Sequence, residues 1–299
     1  MELWIPITVA AAFLQNLRMV FQKQLKSSLT TGGATFSRFV FALPLAIVYA
    51  AVLQHTQEGA PPEPSALFVL YCALGGVSQI MATGLLVAVF SHRNFAVSTA
   101  YSKTETVQTV FFGLILLGES VGGQALAGIL ISLFGVLAIS FAQTGWNRTI
   151  VRDLVGKPAM FGIASGTCLA LSVVFYRAGS LSLGGDGFLA QASLTLAVAL
   201  VIQCVVMAVW LQIKEPGQAM ATIRAWRVAL PAGVSGFLAS ACWFAAMTIQ
   251  NAAYVRALGQ IELVFTFAAS WFIFKERSKP AEVLGVLLIC GGIVVLVLR

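Results

Sequence analysis

Charged side chains are scarce in this chain of 299 residues. Asp, Glu, Lys and Arg make up 10 % of it, against about 25 % in a typical soluble domain, whereas hydrophobic residues make up 59 % and the mean hydropathy is +0.91. This composition excludes an ordinary soluble domain and predicts a multi-pass protein of the cell membrane, the inner membrane if the source is bacterial. The formal charge of +7 then reflects membrane orientation, so we expect the lipid bilayer, and not nucleic acid, as its partner.

Residues that hold metals or perform covalent catalysis are few and scattered. The five cysteines lie in apolar segments without a CxxC pair, and the two histidines form no ligand cluster. The sequence also lacks a phosphate-binding glycine loop and any Ser/His/Asp or Cys/His arrangement. We therefore expect no metal, no cofactor and no enzymatic activity.

Long apolar runs dominate the chain instead. A bilayer core about 30 Å thick requires roughly 20 apolar residues per helix, and short polar or turn-forming stretches separate ten such segments. The fold class predicted is therefore an all-α membrane protein with ten transmembrane helices. The segments are 3–22, 34–53, 66–90, 95–117, 124–142, 158–178, 187–211, 228–248, 252–274 and 281–298.

The two halves of the chain resemble each other. At an offset of 157 residues, Glu105 falls on Glu262 and Gly128 falls on Gly285. Each half holds five of the ten segments, and because five is odd, the second half should enter the membrane from the opposite side. This is an inverted repeat of the kind found in many secondary transporters. The predicted parts are a first repeat over 1–142, a connecting loop over 143–157 and a second repeat over 158–299.

Three segments are similar to a known family. FSRFVFALPLAI (36–47) resembles the second helix of the drug/metabolite transporter superfamily, in its ten-helix EamA-like branch, and Arg38 matches a family position. ETVQTVFFGLILLGE and ELVFTFAASWFIFKE resemble the fourth and ninth helices of that family. Family members commonly carry proline after the positions of Glu105 and Glu262, where this chain has Thr106 and Leu263. We therefore expect its helices four and nine to be straighter than those of relatives.

The basic residues predict an orientation. Twelve of them follow odd-numbered segments, and only two, Arg177 and Arg299, lie on the opposite side. The positive-inside rule places the odd-numbered connections in the cytoplasm and both termini outside. The family resemblance implies the reverse, with both termini inside.

Polar and ionisable side chains inside the apolar segments indicate a substrate path, because a charged group at the bilayer centre costs about 3 kcal/mol on insertion scales. We expect Glu262 to serve in coupling, and the other members of this set to contact the substrate. Those residues are Gln15, Arg18, Gln79, Tyr101, Lys103, Glu105, Gln108, Tyr176, Trp243 and Gln260.

Several of these side chains have a structural alternative. Glu105 and Glu262 could be protonated acids that join helices, and Lys103 could equally be a structural partner. Lys103 lies about 200° round a helix from Glu105, so its partner should belong to another helix. Arg256, close to a helix end, is expected to extend to the membrane interface.

Segments 124–142 and 281–298 are nearly free of central polar groups. Their small residues should let these two helices pack closely as peripheral supports. The small residues are Gly128, Ser132, Gly135, Gly285 and Gly292.

Together these features predict a secondary transporter that exports small organic metabolites, such as amino acids, by alternating access. A proton could provide coupling through Glu105 or Glu262, and facilitated diffusion fits the sequence equally well. The alternatives are an exporter of organic cations, against which Lys103 counts, a flippase for lipid-linked substrates, and a membrane scaffold without transport activity.

Overall fold

The computed structural model describes residues 2–25, 29–56, 62–89, 95–144, 156–185, 187–272 and 279–298. The regular elements in these ranges are helices, which confirms the all-α class. In chain order they are α1 (Trp4–Leu25), α2 (Thr31–Val40), α3 (Leu43–Thr56), α4 (Ala66–Val89), α5 (Phe95–Ser102), α6 (Glu105–Leu117), α7 (Gly123–Thr144), α8 (Lys157–Ser182), α9 (Phe188–Lys214), α10 (Gln218–Arg224), α11 (Trp226–Ile249), α12 (Ala252–Leu258), α13 (Ile261–Phe272) and α14 (Pro280–Val297).

Eight helical segments within the described ranges are long and apolar enough to cross a membrane. Their outward faces carry large apolar side chains, for example Phe134 and Leu287, each 63 % exposed. Such faces are stable against lipid and not against water. The eight segments are Trp4–Gln22, Thr31–Thr56, Ala66–Leu85, Gly123–Ala142, Ala159–Ser182, Phe188–Lys214, Trp226–Ile249 and Pro280–Val297.

The other two segments expected to span, 95–117 and 252–274, are each divided into two shorter helices. Helix α5 ends at Ser102 and α6 begins at Glu105, whereas α12 ends at Leu258 and α13 begins at Ile261. At both breaks the backbone tightens into bonds between residues three apart. Thr104 N donates to the Tyr101 carbonyl at 3.1 Å, and Gln260 N donates to the Ala257 carbonyl at 3.2 Å.

Helices four and nine are therefore interrupted although proline is missing after Glu105 and Glu262, and the comparison with the helices of relatives stays a prediction. At the first break, the Thr104 hydroxyl donates to the Tyr101 carbonyl at 2.6 Å and the Thr106 hydroxyl to the Lys103 carbonyl at 3.3 Å. Such bonds compete with the helical ladder. At the second break lies Gly259, and glycine has the lowest helix propensity of any residue except proline. Proline is thus not required to interrupt either helix.

The helices form two compact units, and each unit contains parts of both halves of the sequence. Unit 1 consists of Met1–Val77 and Phe175–Gln250, and unit 2 consists of Ser78–Val174 and Asn251–Arg299. Helices α4 and α8 therefore contribute to both units. The division into two repeats and a connecting loop describes the sequence pattern and stays a prediction.

Unit 1 is held by helix packing and by polar contacts at helix ends. Leu25 at the end of α1 packs with Ala34 of α2 and with Ala229 of α11 in a buried apolar cluster. Arg177 of α8 closes the C-terminal end of α11, because its guanidinium donates to the carbonyls of Met247 and Gln250. A cation is favourable at that end of a helix, where carbonyls lack intrahelical partners.

Unit 2 contains a backbone contact between α7 and α14. A Cβ added at Gly128 would lie 2.6 Å from the Gly292 carbonyl oxygen, and one at Gly135 would lie 2.6 Å from the Gly285 carbonyl oxygen. The two helices can approach this closely only because these positions lack side chains. The predicted packing through small residues is confirmed.

Candidate functional site

Four ionisable side chains meet at the two helix breaks of unit 2, and we call them the charged cluster: Lys103, Glu105, Arg256 and Glu262. Lys103 lies between α5 and α6, and its Nζ is 2.7 Å from Oε1 of Glu262 in the first turn of α13. Arg256, in the last turn of α12, pairs through Nη2 with Oε1 of Glu105, the first residue of α6. Each ion pair thus joins one broken helix to the other.

These pairs settle two sequence-based expectations. The partner of Lys103 does belong to another helix, which confirms that prediction. The expectation that Arg256 extends to the membrane interface is wrong, because its side chain is only 13 % exposed and neutralises Glu105. The helix end nearest to Arg256 is the break at Leu258, which lies inside the apolar segment 252–274 and not at its end. At this break the side chain of Arg256 pairs with the carboxylate of Glu105.

The charged cluster is electrically balanced, with two cations and two anions. Lys103 is attracted by both glutamates and repelled by Arg256, so the four charges act as one group. Glu105 is 2 % exposed and Glu262 is 7 % exposed. Carboxylates this deeply buried are tolerated when they are paired, and removal of one partner is strongly destabilising.

Two buried oxygens at the breaks can take a further hydrogen bond. Glu105 Oε2 and Gln260 Oε1 have no hydrogen-bond donor within the described residues. An unsatisfied buried acceptor costs about 1–3 kcal/mol. A donor from a ligand, such as an ammonium or hydroxyl group, would remove that cost, so these two oxygens are the acceptors at the helix breaks best suited to binding.

Helix α8 supports the first break through two glycines that sequence reasoning missed. A Cβ at Gly162 would lie 2.5 Å from the Ser98 carbonyl oxygen, and one at Gly166 would lie 2.9 Å from that of Ser102. Their spacing of four residues is the small-residue pattern that lets membrane helices pack closely, and it could have revealed this contact.

Three other residues expected at the site lie in unit 2 without entering an ion pair. Gln108 donates to the Thr104 hydroxyl at 2.8 Å and so stabilises the break. Tyr101 is half-buried and packs beside Gly162, where an added Cβ would be 2.8 Å from the Tyr101 Cβ. Gln79 lies half-buried on α4.

The remaining expected residues belong to unit 1. Trp243 of α11 donates from Nε1 to Gln15 Oε1 of α1 at 3.1 Å. Tyr176 of α8 accepts from Gln203 Nε2 at 3.1 Å, and its ring lies 4.7 Å from that of Phe244 between centroids.

Arg18 completes this group of expected residues. It is 7 % exposed and crosses α11 at Gly236, where an added Cβ would be 3.1 Å from Arg18 Cδ. The guanidinium of Arg38 on α2 lies over the ring of Phe39, 4.7 Å from its centroid.

The expected site residues therefore fall into two groups. Unit 1 holds Gln15, Arg18, Tyr176 and Trp243, and unit 2 holds Gln79, Tyr101, Lys103, Glu105, Gln108, Gln260 and Glu262. Their roles in substrate binding and coupling stay predictions. Sequence reasoning overlooked Gln203, because a single amide in an apolar helix gives no pattern.

No metal-binding group is found in the part of the chain that the structure describes, where His, Cys, Asp and Glu never gather in threes. All five cysteines are described and are free thiols, with Cys72 and Cys204 buried and Cys290 exposed.

The sequence matches the model of the EamA-like transporter family twice, over residues 2–141 and 156–298. The chain belongs to this family. The resemblance to drug/metabolite transporters, first noted in short segments, is thereby confirmed, and the two matches are two copies of the EamA repeat. Membership makes the protein a multi-pass membrane transporter of the drug/metabolite type.

Comparison with solved structures supports the fold. One protein crystal structure is similar with a TM-score of 0.72 at 15 % sequence identity, over 99 % of this chain and 97 % of the other. At this identity the likeness concerns the fold alone. No curated protein matches the sequence.

Proposed function

We propose that this EamA-like protein is a secondary transporter with ten spans in two inverted repeats. It exports small organic metabolites, such as amino acids, from the cell by alternating access. The observation that carries the proposal is the charged cluster, which joins two interrupted helices through buried ion pairs.

Interrupted helices support transport for a physical reason. Non-helical backbone at membrane depth is stable only where protein or a wet cavity surrounds it, and discontinuous helices build the substrate sites of many transporters. A tight turn inside a helix also often marks a hinge. A scaffold without transport activity would gain nothing from four buried charges in a chain with so few.

The two glutamates are assigned different tasks in this proposal. The side chain of Glu262 is 9 % exposed and that of Glu105 is 2 % exposed, so a proton reaches Glu262 more readily. Protonation of Glu262 would leave Lys103 without its counter-charge and loosen α13 from the α5–α6 break. Glu105, held by Arg256 through one oxygen, offers Oε2 to a substrate donor.

A ligand screen followed by an efflux assay tests the proposal. The purified protein is heated with amino acids, nucleosides, sugars and quaternary amines, and compounds that raise the melting temperature are loaded into proteoliposomes. We expect an amino acid or related metabolite to leave faster than from protein-free liposomes. Stabilisation by quaternary amines alone would point to a cation exporter. If every compound left the proteoliposomes no faster than it left protein-free liposomes, transport would be refuted.

The coupling assignment has a matched control. Glu262→Gln should remove the dependence of efflux on an imposed pH gradient, whereas Glu282→Gln should not. Glu282 lies at the start of α14 and accepts from Lys279 N at 2.9 Å, a bond that glutamine can also make. An unchanged pH response in Glu262→Gln would exclude it as the coupling group.

A further inference from the structure

The connection between α9 and α11, which contains the short helix α10, lies at the membrane surface. The membrane-crossing segments Phe188–Lys214 and Trp226–Ile249 flank it on either side, and all of it belongs to unit 1. Between positions 214 and 227 the sequence holds three cations and one carboxylate, which gives this stretch a net charge of +2. These residues are Lys214, Glu215, Arg224 and Arg227.

The inner face of α10 is attached to the N-terminal end of α2. The Thr222 hydroxyl donates to the Gly33 carbonyl at 3.2 Å, and Gln218 Oε1 accepts from Thr30 N at 3.4 Å. Ala225 packs against the buried apolar cluster formed by the ends of α1 and α2 with α11. The spacing of 218, 222 and 225 places these residues on one side of a helix. The opposite side of α10 therefore points away from the protein.

The carboxylate of Glu215 is also directed toward α2. It accepts from the Thr30 hydroxyl, and an added Cβ at Gly32 would lie 2.6 Å from Glu215 Oε2. A negative charge is favourable at this end of a helix, where backbone N–H groups lack intrahelical partners. The acidic group of the connection thus serves the inner contact, whereas the cations are on the outside.

The outer face combines exposed cations with exposed apolar side chains. Met220, Ile223, Arg224 and Arg227 follow the spacing i, i+3, i+4 and i+7 of one helix face, and all four are exposed. Trp226 is about half exposed, and the Arg227 guanidinium lies 5.5 Å from the centroid of its ring. Basic residues beside tryptophan and aliphatic side chains are typical of the boundary between lipid headgroups and acyl chains.

We infer that the outer face of α10 is a binding surface for an anionic phospholipid. Arg224 and Arg227 bind the headgroup phosphate, since guanidinium groups pair with phosphate oxygens through parallel hydrogen bonds. Met220 and Ile223 contact the acyl chains of the same lipid. A zwitterionic lipid also carries a phosphate, but its ammonium group cancels the attraction of the +2 stretch.

A lipid bound there should also stabilise the protein. Helix α10 contacts lipid with one face and holds the start of α2 with the other, so a lipid that fixes α10 also strengthens the contact between α10 and α2. This inference does not depend on the proposed transport function, because a protein that moves no metabolite could bind lipid in the same way.

A lipid titration tests the surface. The purified full-length protein is freed of lipid in a mild non-ionic detergent, and its melting temperature is followed at constant ionic strength as phosphatidylglycerol or phosphatidylcholine is added. A third series receives inorganic phosphate without lipid. We expect saturable stabilisation by phosphatidylglycerol, at least tenfold weaker apparent affinity for phosphatidylcholine, and no stabilisation by inorganic phosphate at the same concentration.

Variants locate the effect. Arg224→Gln and Arg227→Gln should each weaken the apparent affinity for phosphatidylglycerol about fivefold, and the double variant about 25-fold, the usual contribution of a basic residue near an anionic membrane surface. Lysine at both positions keeps the charge and should retain most of the affinity. Lys157→Gln is the control, because Lys157 is exposed at the start of α8 and the basic-residue pattern places it on the same side of the membrane.

Four outcomes would overturn the surface. They are equal affinity for the two lipids, unchanged affinity in the double glutamine variant, an equal loss in Lys157→Gln, and stabilisation by inorganic phosphate that matches that of the anionic lipid. An equal loss in the control would indicate general attraction to the membrane, and the phosphate result would indicate a site for a free anion. Both arginines are exposed, so if the double variant fails to fold, the two single variants give the same comparison.

Discussion

Replacement of Arg256 by glutamine tests how the charged cluster holds the two broken helices together. Arg256 supplies the ion pair to Oε1 of Glu105, whose Oε2 has no donor within the described residues. The variant Arg256→Gln therefore leaves a carboxylate that is 2 % exposed without its direct counter-charge. Lys103 remains within electrostatic range of Glu105 and compensates part of the loss.

The expected magnitude follows from this arrangement. Loss of one partner from a buried pair costs about 3–5 kcal/mol, and Lys103 should bring the cost of Arg256→Gln to the lower end, about 3 kcal/mol. Glu105→Gln leaves Arg256 buried near Glu262 and should cost a similar amount. The double variant carries no uncompensated charge, so it should lose less than the two single variants together, with a coupling of about 2–3 kcal/mol.

The assay is unfolding by sodium dodecyl sulfate in mixed micelles with a mild detergent. The loss of helix is followed by circular dichroism and gives the free energy of unfolding of each variant. Glu282→Gln serves as the control, because it removes a charge from an exposed helix start in the same unit. Additive losses in the double variant would show that Glu105 and Arg256 do not depend on each other, and would refute the reasoning.

Three further predictions concern packing, coupling and topology. Gly292→Ala should destabilise the protein by about 1–3 kcal/mol, because its Cβ would meet the Gly128 carbonyl oxygen at 2.6 Å, whereas at Gly291 nothing lies within 4 Å; equal unfolding free energies for Gly292→Ala and Gly291→Ala would contradict this. In equilibrium dialysis, Glu105→Gln should weaken substrate binding, whereas Glu262→Gln should leave binding measurable. Weaker binding in Glu262→Gln than in Glu105→Gln would contradict the roles assigned to the two glutamates. Reporters fused to each terminus should be active outside the cytoplasm, and cytoplasmic activity at both ends would overturn the charge-based orientation.

Much of the helical framework could be predicted from the sequence, because apolar runs of about 20 residues have few alternatives in a membrane. The internal repeat singled out Glu105 and Glu262, and helical geometry required Lys103 to have its partner on another helix. These inferences depend on the spacing of residues along the chain, which the sequence displays directly.

The helix breaks were harder to predict, because they depend on side-chain bonds to nearby carbonyls. Thr104 and Thr106 act through hydroxyl groups whose direction no sequence pattern fixes. The pairing of Arg256 with Glu105 depends on how α12 packs against α6, which are far apart in the chain. The sequence-based argument considered Arg256 without a partner and therefore placed its side chain at the membrane interface.

The packing of Arg18 shows the same limit. Its side chain crosses α11 at Gly236, where an added Cβ would lie 3.1 Å from Arg18 Cδ. Nothing in the sequence near Arg18 indicates which helix its side chain meets, because α1 and α11 are far apart in the chain.

Solute counterflow in proteoliposomes is the most direct test of the central claim, that this protein moves a small organic metabolite by alternating access. Liposomes containing the purified protein are loaded with a high concentration of the unlabelled compound that stabilises it best, and are diluted into a trace of the labelled compound. A carrier that alternates between two faces predicts transient accumulation of label above its outside concentration. Label that only equilibrates, or that enters no faster than into protein-free liposomes, would contradict the account.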